Sequence, residues 1–196
     1  MTQRRVVVTG LGAVSSCGNN VKDSWEAVKN GKSGITNITL FDATNHQVKI
    51  AGEVKNFNLD DYGVDHKLAR KTSRVTKFLL GASIEAVNDS GLSKEALSND
   101  ENGIITGVGI GVSAELETAY AKYLDPNSGV NRIPPLTAPL ILNNEAAANV
   151  AIYYGIHGSS LTLSTACASG TDAIGLGLDL IRAGRMDVCL AGGADA

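Results

Sequence analysis

Cysteine is scarce in this sequence: Cys17, Cys167 and Cys189 are the three among 196 residues. Their number is odd and no pair has a metal-ligand or disulfide-framework spacing, so neither a disulfide scaffold nor a zinc site is read from them. Free thiols suit a reducing compartment, and a cytoplasmic location is expected. Long hydrophobic runs are missing as well. No stretch approaches the roughly 20 apolar residues of a membrane span, and Met1 to Arg5 followed by Val6-Val7-Val8 is too short for a signal sequence. Positive charge is not in excess: 17 basic against 20 acidic residues leave a net charge of −3. That excludes a nucleic-acid partner held by bulk charge. The composition is 43% hydrophobic and 19% charged, that of a globular domain with one sizeable core.

Strands alternate with helices along the chain. Arg5 to Val8 reads as a short β-branched strand ending in Thr9-Gly10-Leu11-Gly12, and Asp23 to Asn30 as a helix with Trp25 and Val28 on one side. Ile35 to Asn58 is irregular, with hairpin strands expected at Val48 to Val54. The longest helical pattern runs from about Lys67 to Asn88, with Val75, Leu79, Ala82 and Ala86 on one face and Asp89-Ser90-Gly91 as its stop. A core strand follows at Ile104 to Val108, then a helix capped by Ser113 and running to Tyr123. Pro126 to Pro139 is a loop, and Leu140 to Tyr154 a helix rich in small residues. A third strand containing Leu161 and Leu163, a helix to about Ala183 and a strand from Asp187 to Ala191 complete the series. Such an order predicts an α/β layered fold with a mainly parallel sheet. Gly192-Gly193-Ala194-Asp195-Ala196 follows a core strand with no closing helix, so the chain is expected to be the front part of a longer protein.

One cysteine stands apart by its setting. Ser164-Thr165-Ala166-Cys167-Ala168-Ser169-Gly170 follows an alternating strand pattern and opens an amphipathic helix. A thiol ahead of a helix feels the positive end of the backbone dipole, which favours the thiolate. Small neighbours leave room for a substrate, and acyl transfer through a thioester is the chemistry indicated. Cys189, within Val188-Cys189-Leu190, reads as packing, and Cys17 as structural or incidental. Gly10-Leu11-Gly12 after a strand lacks the third glycine of a dinucleotide fingerprint, Ser15 standing there, and Gly107-Val108-Gly109-Ile110-Gly111 lacks a phosphate-loop lysine. No cofactor or metal is therefore expected.

Arg4-Arg5-Val6-Val7-Val8-Thr9-Gly10-Leu11-Gly12, Asn88-Asp89-Ser90-Gly91-Leu92, Gly107 to Gly111, Thr165 to Gly170 and Ala191-Gly192-Gly193-Ala194 occur in the order and approximate spacing of one family. In these motifs the chain resembles the β-ketoacyl-acyl-carrier-protein synthases, and among them the elongating type, synthase II. The resemblance implies the thiolase-like fold, with residues 1–196 as the N-terminal half of a duplicated α/β architecture and the C-terminal half absent. It implies that Cys167 accepts an acyl chain from acyl carrier protein, after which malonyl-carrier protein is decarboxylated and condensed onto it. It also implies that Ile110 lines the acyl pocket, that the full-length protein is a homodimer, and that two histidines and a lysine come from the second half. His46, His66 and His157 fall in no matching motif, so this chain alone is expected to be inactive. Ser159 stands where relatives commonly carry a proline before the nucleophile strand.

Lys67, Lys71 and Arg74, and likewise Arg70, Arg74 and Lys77, recur at helical spacing. A charge run of this kind is most simply a solvated helix face. The resemblance implies instead that Lys67, Arg70, Lys71 and Arg74 dock the acidic carrier protein, where complementary charge raises the association rate. A thiolase acting on coenzyme A thioesters and a non-catalytic partner subunit of a polyketide or lipid synthase are the alternatives. The first would need no basic docking face, and the second typically lacks the nucleophile.

Overall fold

The computed structural model describes residues 4–127 and 132–196. Among them three parallel strands form the central sheet: β3 (Asn102–Gly107) lies between β4 (Ser160–Leu163) and β5 (Val188–Gly193). Earlier in the chain, β1 (Thr36–Asn37) and β2 (Ile50–Ala51) make a small antiparallel pair. The helices are α1 (Val21–Lys29), α2 (His66–Ala69), α3 (Arg74–Ser90), α4 (Lys94–Leu97), α5 (Ser113–Leu124), α6 (Thr137–Leu140), α7 (Glu145–Tyr154) and α8 (Ser169–Arg182).

The pleat of β3 builds the layers. Successive side chains point to opposite faces, so Ile104 packs with Leu80, Ile84 and Val87 of α3 and with Ala147 and Val150 of α7. Its neighbour Ile105 packs with Ala173 and Leu180 of α8 and with Met186. Both isoleucines are at most 1% exposed, and burying each is worth about 1.5–3 kcal/mol. β5 alternates in the same way, with Val188 and Leu190 on the α3–α7 face and Cys189 on the α8 face. Parallel pairing sets Gly107 opposite both Leu163 and Gly193. The C-terminal ends of all three strands therefore meet where α8 begins.

That junction is held by missing side chains. A Cβ on Gly107 would lie 2.1 Å from the Ser169 carbonyl carbon and 2.4 Å from the Gly170 nitrogen, and one on Gly193 would lie 2.8 Å from the Gly170 Cα. Only glycine lets the first turn of α8 come down onto the strand ends.

Several sequence expectations are corrected. Arg5 to Val8 forms no strand, and Val7 and Val8 are exposed; the residues that follow lie along α3, where Leu11 N donates to Asp89 Oδ2 at 2.9 Å and Ala13 N to Glu85 Oε2 at 3.0 Å. Gly10 and Gly12 make this possible, since a Cβ there would meet the carbonyls of Ala86 and Ala82. Trp25 and Val28 are exposed, and α1 buries none of its residues. The pattern from Lys67 to Asn88 is not one helix. Thr72 Oγ1 turns back to the Ala69 carbonyl and Ser73 caps α3 by accepting from Thr76 N, which stops α2 at Ala69. Ser113 is the first residue of α5 and makes no cap bond. Leu140 closes α6, and the small-residue helix starts at Glu145, whose buried carboxylate accepts from the hydroxyls of Ser73 and Thr76 and from Asn149 Nδ2. The loop expected at Pro126 to Pro139 falls partly outside the described residues.

Replacing Gly107 by alanine tests the junction, because its Cβ would strike backbone that cannot rotate away. The expected cost is about 3 kcal/mol, read as a fall in melting temperature of roughly 6–12 °C. A variant melting with the wild type would show that α8 does not depend on this contact.

Candidate active site

The strand-to-helix turn is built from five side-chain and main-chain bonds. Ala168 N donates to Thr165 O at 3.2 Å and Ser169 N to Ala166 O at 3.1 Å. Ser169, 3% exposed, accepts from Thr165 N at 2.8 Å through its hydroxyl and donates to Ala166 O at 2.7 Å. Thr165 Oγ1 donates to the carboxylate of Asp172, in the first turn of α8. Inside this mesh Ala166 takes φ of 54°. A non-glycine residue in the left-handed region carries about 1–2 kcal/mol of strain, and such residues gather at functional sites.

Cys167 follows the strained residue and is exposed. Its side chain leaves the turn between Ala166 and the helix cap Ala168, with α8 beginning two residues later. Cys189 is the opposite case. It sits under α8, where a Cβ on Gly177 would lie 3.0 Å from its sulfur, and burial pushes its thiol up to about 11. The two cysteines are thus separated by surroundings and not by sequence composition.

The turn after β3 lies beside the Cys167 turn. Ser164 Oγ donates to Gly109 O at 3.3 Å, and a Cβ on Gly109 would come within 3.7 Å of Ala166 O. Ile110 projects from this turn 74% exposed. Asp195 reaches the same turn, accepting from the main chain of Gly109, Ile110 and Gly111. Sequence reading did not find Asp195, Ser169 or Asp172 as site residues. Asp195 meets its partners only through strand pairing across the sheet, and an alanine gives no hint of the left-handed backbone at position 166.

The basic residues separate into two groups. Lys67 lies in α2, Arg70 caps it and Lys71 follows in the break before α3, all three exposed. Arg74 is set apart from them: it opens α3, half-buried, its Nη2 donates to Val54 O at 3.1 Å and its guanidinium lies 4.8 Å over the Phe78 ring. The histidines lie in other settings: His46 packs edge-on against Phe41, His66 opens α2, and His157 sits 3.9 Å from Asp100.

Comparison with known proteins accounts for this arrangement. Residues 3–196 match the family model described as the N-terminal domain of β-ketoacyl synthase. The chain is 37% identical over 193 residues to 3-oxoacyl-[acyl-carrier-protein] synthase 2 of Staphylococcus aureus (strain COL), covering 98% of this chain and 46% of that protein. Against the protein of the same name from Vibrio cholerae it is 37% identical over 195 residues, covering 100% of this chain and 46% of the relative. It therefore spans about half the length of the curated relatives it matches. Among solved structures, the ishigamide ketosynthase/chain length factor superposes with a TM-score of 0.92 at 31% identity, over 100% of this chain and 48% of that one. A type II polyketide ketosynthase in complex with its acyl-carrier protein gives 0.83 at 27% identity, over 100% and 46% of the two chains. Agreement in sequence and backbone over nearly every residue makes this chain a member of the β-ketoacyl synthase family, spanning its N-terminal domain in the thiolase-like fold.

Proposed function

We propose that this chain provides the nucleophile half of a condensing enzyme that lengthens acyl chains carried on acyl carrier protein. The single observation that carries the reading is the exposed Cys167 thiol presented on a strained strand-to-helix turn. The Cys167 sulfur, as thiolate, attacks the carbonyl carbon of the acyl-carrier thioester. The tetrahedral oxyanion collapses, the carrier thiolate leaves and takes up the proton lost by Cys167, and the acyl group stays on the cysteine. Loss of CO2 from malonyl-carrier protein then gives a carbanion that attacks this new thioester, forming a carbon–carbon bond and expelling the Cys167 thiolate. The backbone N–H of Cys167 supplies one donor to the oxyanion at both stages, where charge develops and a placed donor is worth most.

Ile110 lines the acyl pocket in this reading, supported by its exposure on the turn beside Ala166. The histidines and lysine that assist acylation and stabilise the carbanion are supplied by a second half, and the complete protein is a homodimer. Support for further cover comes from apolar groups left in the open: Val8 is 79%, Ile152 75% and Ile174 56% exposed. β4, an edge strand among the described residues, has Leu161 in the open as well. Light scattering of the isolated 196-residue chain is expected to show association driven by these surfaces, with no condensation product. Turnover by a monomeric 196-residue chain would remove the half-enzyme reading.

No described helix is long and apolar enough to cross a membrane. A specialised polyketide role for the same chemistry is favoured by one finding, the TM-score of 0.92 to a ketosynthase named for ishigamide. Assaying the complete protein with carrier proteins of fatty-acid and polyketide type decides between the two.

A labelling experiment and a substitution test the site. In the complete protein at pH 8, Cys167 is expected to be alkylated by iodoacetamide faster than Cys189, whose thiol stays protonated well below about 11. Peptide mapping that finds Cys189 labelled first would count against Cys167. Cys167→Ser is expected to keep the fold and lower condensation by roughly 10³-fold or more, since the hydroxyl is a far weaker nucleophile.

Carrier docking is tested by reversing Lys67, Arg70 and Lys71 to glutamate. Three exposed ion pairs at about 0.2–1 kcal/mol each predict a loss of carrier affinity of roughly tenfold at low salt, shrinking as salt screens it. Unchanged binding would eliminate the surface, while Arg74→Ala is expected to lower stability through lost packing.

A further inference from the structure

One polar convergence that bears on the cysteine turn is at Asp195. Pairing of β3 with β5 sets Gly107 opposite Gly193, and Ala194 N donates onward to Gly107 O at 3.0 Å. This register carries Asp195 to the turn that follows β3. There its Oδ2 accepts from Gly109 N at 3.0 Å, and its Oδ1 accepts from Ile110 N at 2.9 Å and Gly111 N at 2.7 Å. Successive backbone N–H groups aimed at one anion form a nest, and an ionised acceptor strengthens each bond relative to a neutral one.

The turn has few other holds. Gly111 takes φ of 65°, Val112 N reaches back to Ile110 O at 2.8 Å, and Ser164 Oγ touches Gly109 O at 3.3 Å. Ile110 itself is held by no core contact, being 74% exposed. Without the carboxylate, three neighbouring N–H groups lose the one protein acceptor they share.

We infer that Asp195 is a positioning residue: its carboxylate fixes the Gly109–Gly111 turn beside the Cys167 turn and thereby sets where Ile110 stands, and with it which acyl chain lengths Cys167 accepts. The inference rests on the reading of Ile110 as a pocket-lining residue. Asp195 touches neither thiol nor acyl chain, and acts through the backbone it holds.

The test uses the protein expressed from its complete gene, with Asp195→Ala, Asp195→Asn, Asp195→Glu and Ile110→Ala. Three quantities are read: amide hydrogen exchange at residues 109–111, the ratio of palmitoyl to butyryl loading of Cys167 from acyl-carrier protein by mass spectrometry, and the iodoacetamide rate of Cys167. In Asp195→Ala and Asp195→Asn, exchange at the three amides is expected to rise by roughly tenfold. Their loading ratio is expected to shift by about tenfold, in the same direction as Ile110→Ala, with the alkylation rate unchanged. Asp195→Glu, which keeps the charge, is expected to recover part of both effects. Should the alanine variant fail to fold, the isosteric asparagine variant makes the same comparison.

Wild-type exchange at residues 109–111 in Asp195→Asn overturns the inference. So does a wild-type loading ratio in that variant when Ile110→Ala shifts it. A ratio that Ile110→Ala leaves unmoved fails the pocket-lining reading instead and takes the chain-length consequence with it, while amide exchange still decides separately whether the carboxylate holds the turn.

Discussion

The approach of α8 to the strand ends is the constraint on which the site depends. Gly107 and Gly193 offer bare backbone where the helix arrives, and Gly170 offers the same from the helix. Three positions without side chains, on three elements, bring the start of α8 into contact with both β3 and β5. Everything chemical is placed by that contact: the cysteine turn joins β4 to α8, the Ile110 turn leaves β3, and Asp195 leaves β5. Interiors pack densely and yield little, so a helix seated this way carries the Cys167 turn to one place.

Strain and its compensation explain why the turn keeps its shape. Ala166 sits in a backbone region that costs about 1–2 kcal/mol for a residue with a Cβ. Against it stand two hydrogen bonds of the Ser169 hydroxyl, each worth about 0.5–1.5 kcal/mol net, and Ser169 is almost wholly shielded from water. The gain covers the cost without a large surplus. The turn is thus held by its own polar contacts, and the thiol beside it stays open while Cys189, on the same layer, is sealed under the helix.

Burial across the chain is uneven in a way that matches this division. The α3–α7 layer and the inner face of α8 close around β3, every residue of which is buried. Apolar residues at Val7, Val8, Ile152 and Ile174 stay open to solvent. Apolar side chains left this exposed are suited to contact, in keeping with a chain that spans about half of its relatives.

How much was legible beforehand follows from the range of each interaction. The motif around Cys167 and the alternating strands were readable, because a strand, a tight turn and a helix are local and leave a local pattern. So were the stop at Gly91, which takes φ of 71°, and the three sheet strands. The strand expected at Arg5 to Val8 was not, since whether a β-branched run pairs depends on which distant strand stands beside it, and this one has no ladder partner among the described residues. Arg74 belonged to a basic stripe until a serine cap broke the helix and a carbonyl with an aromatic ring took its guanidinium. The sequence alone determined the fold class and the family, and it singled out the turn that carries Cys167. Tertiary structure decided which charges remain free, which thiol is exposed and which carboxylate holds the Ile110 turn, because each of these is set by atoms that only sheet register and helix packing bring together.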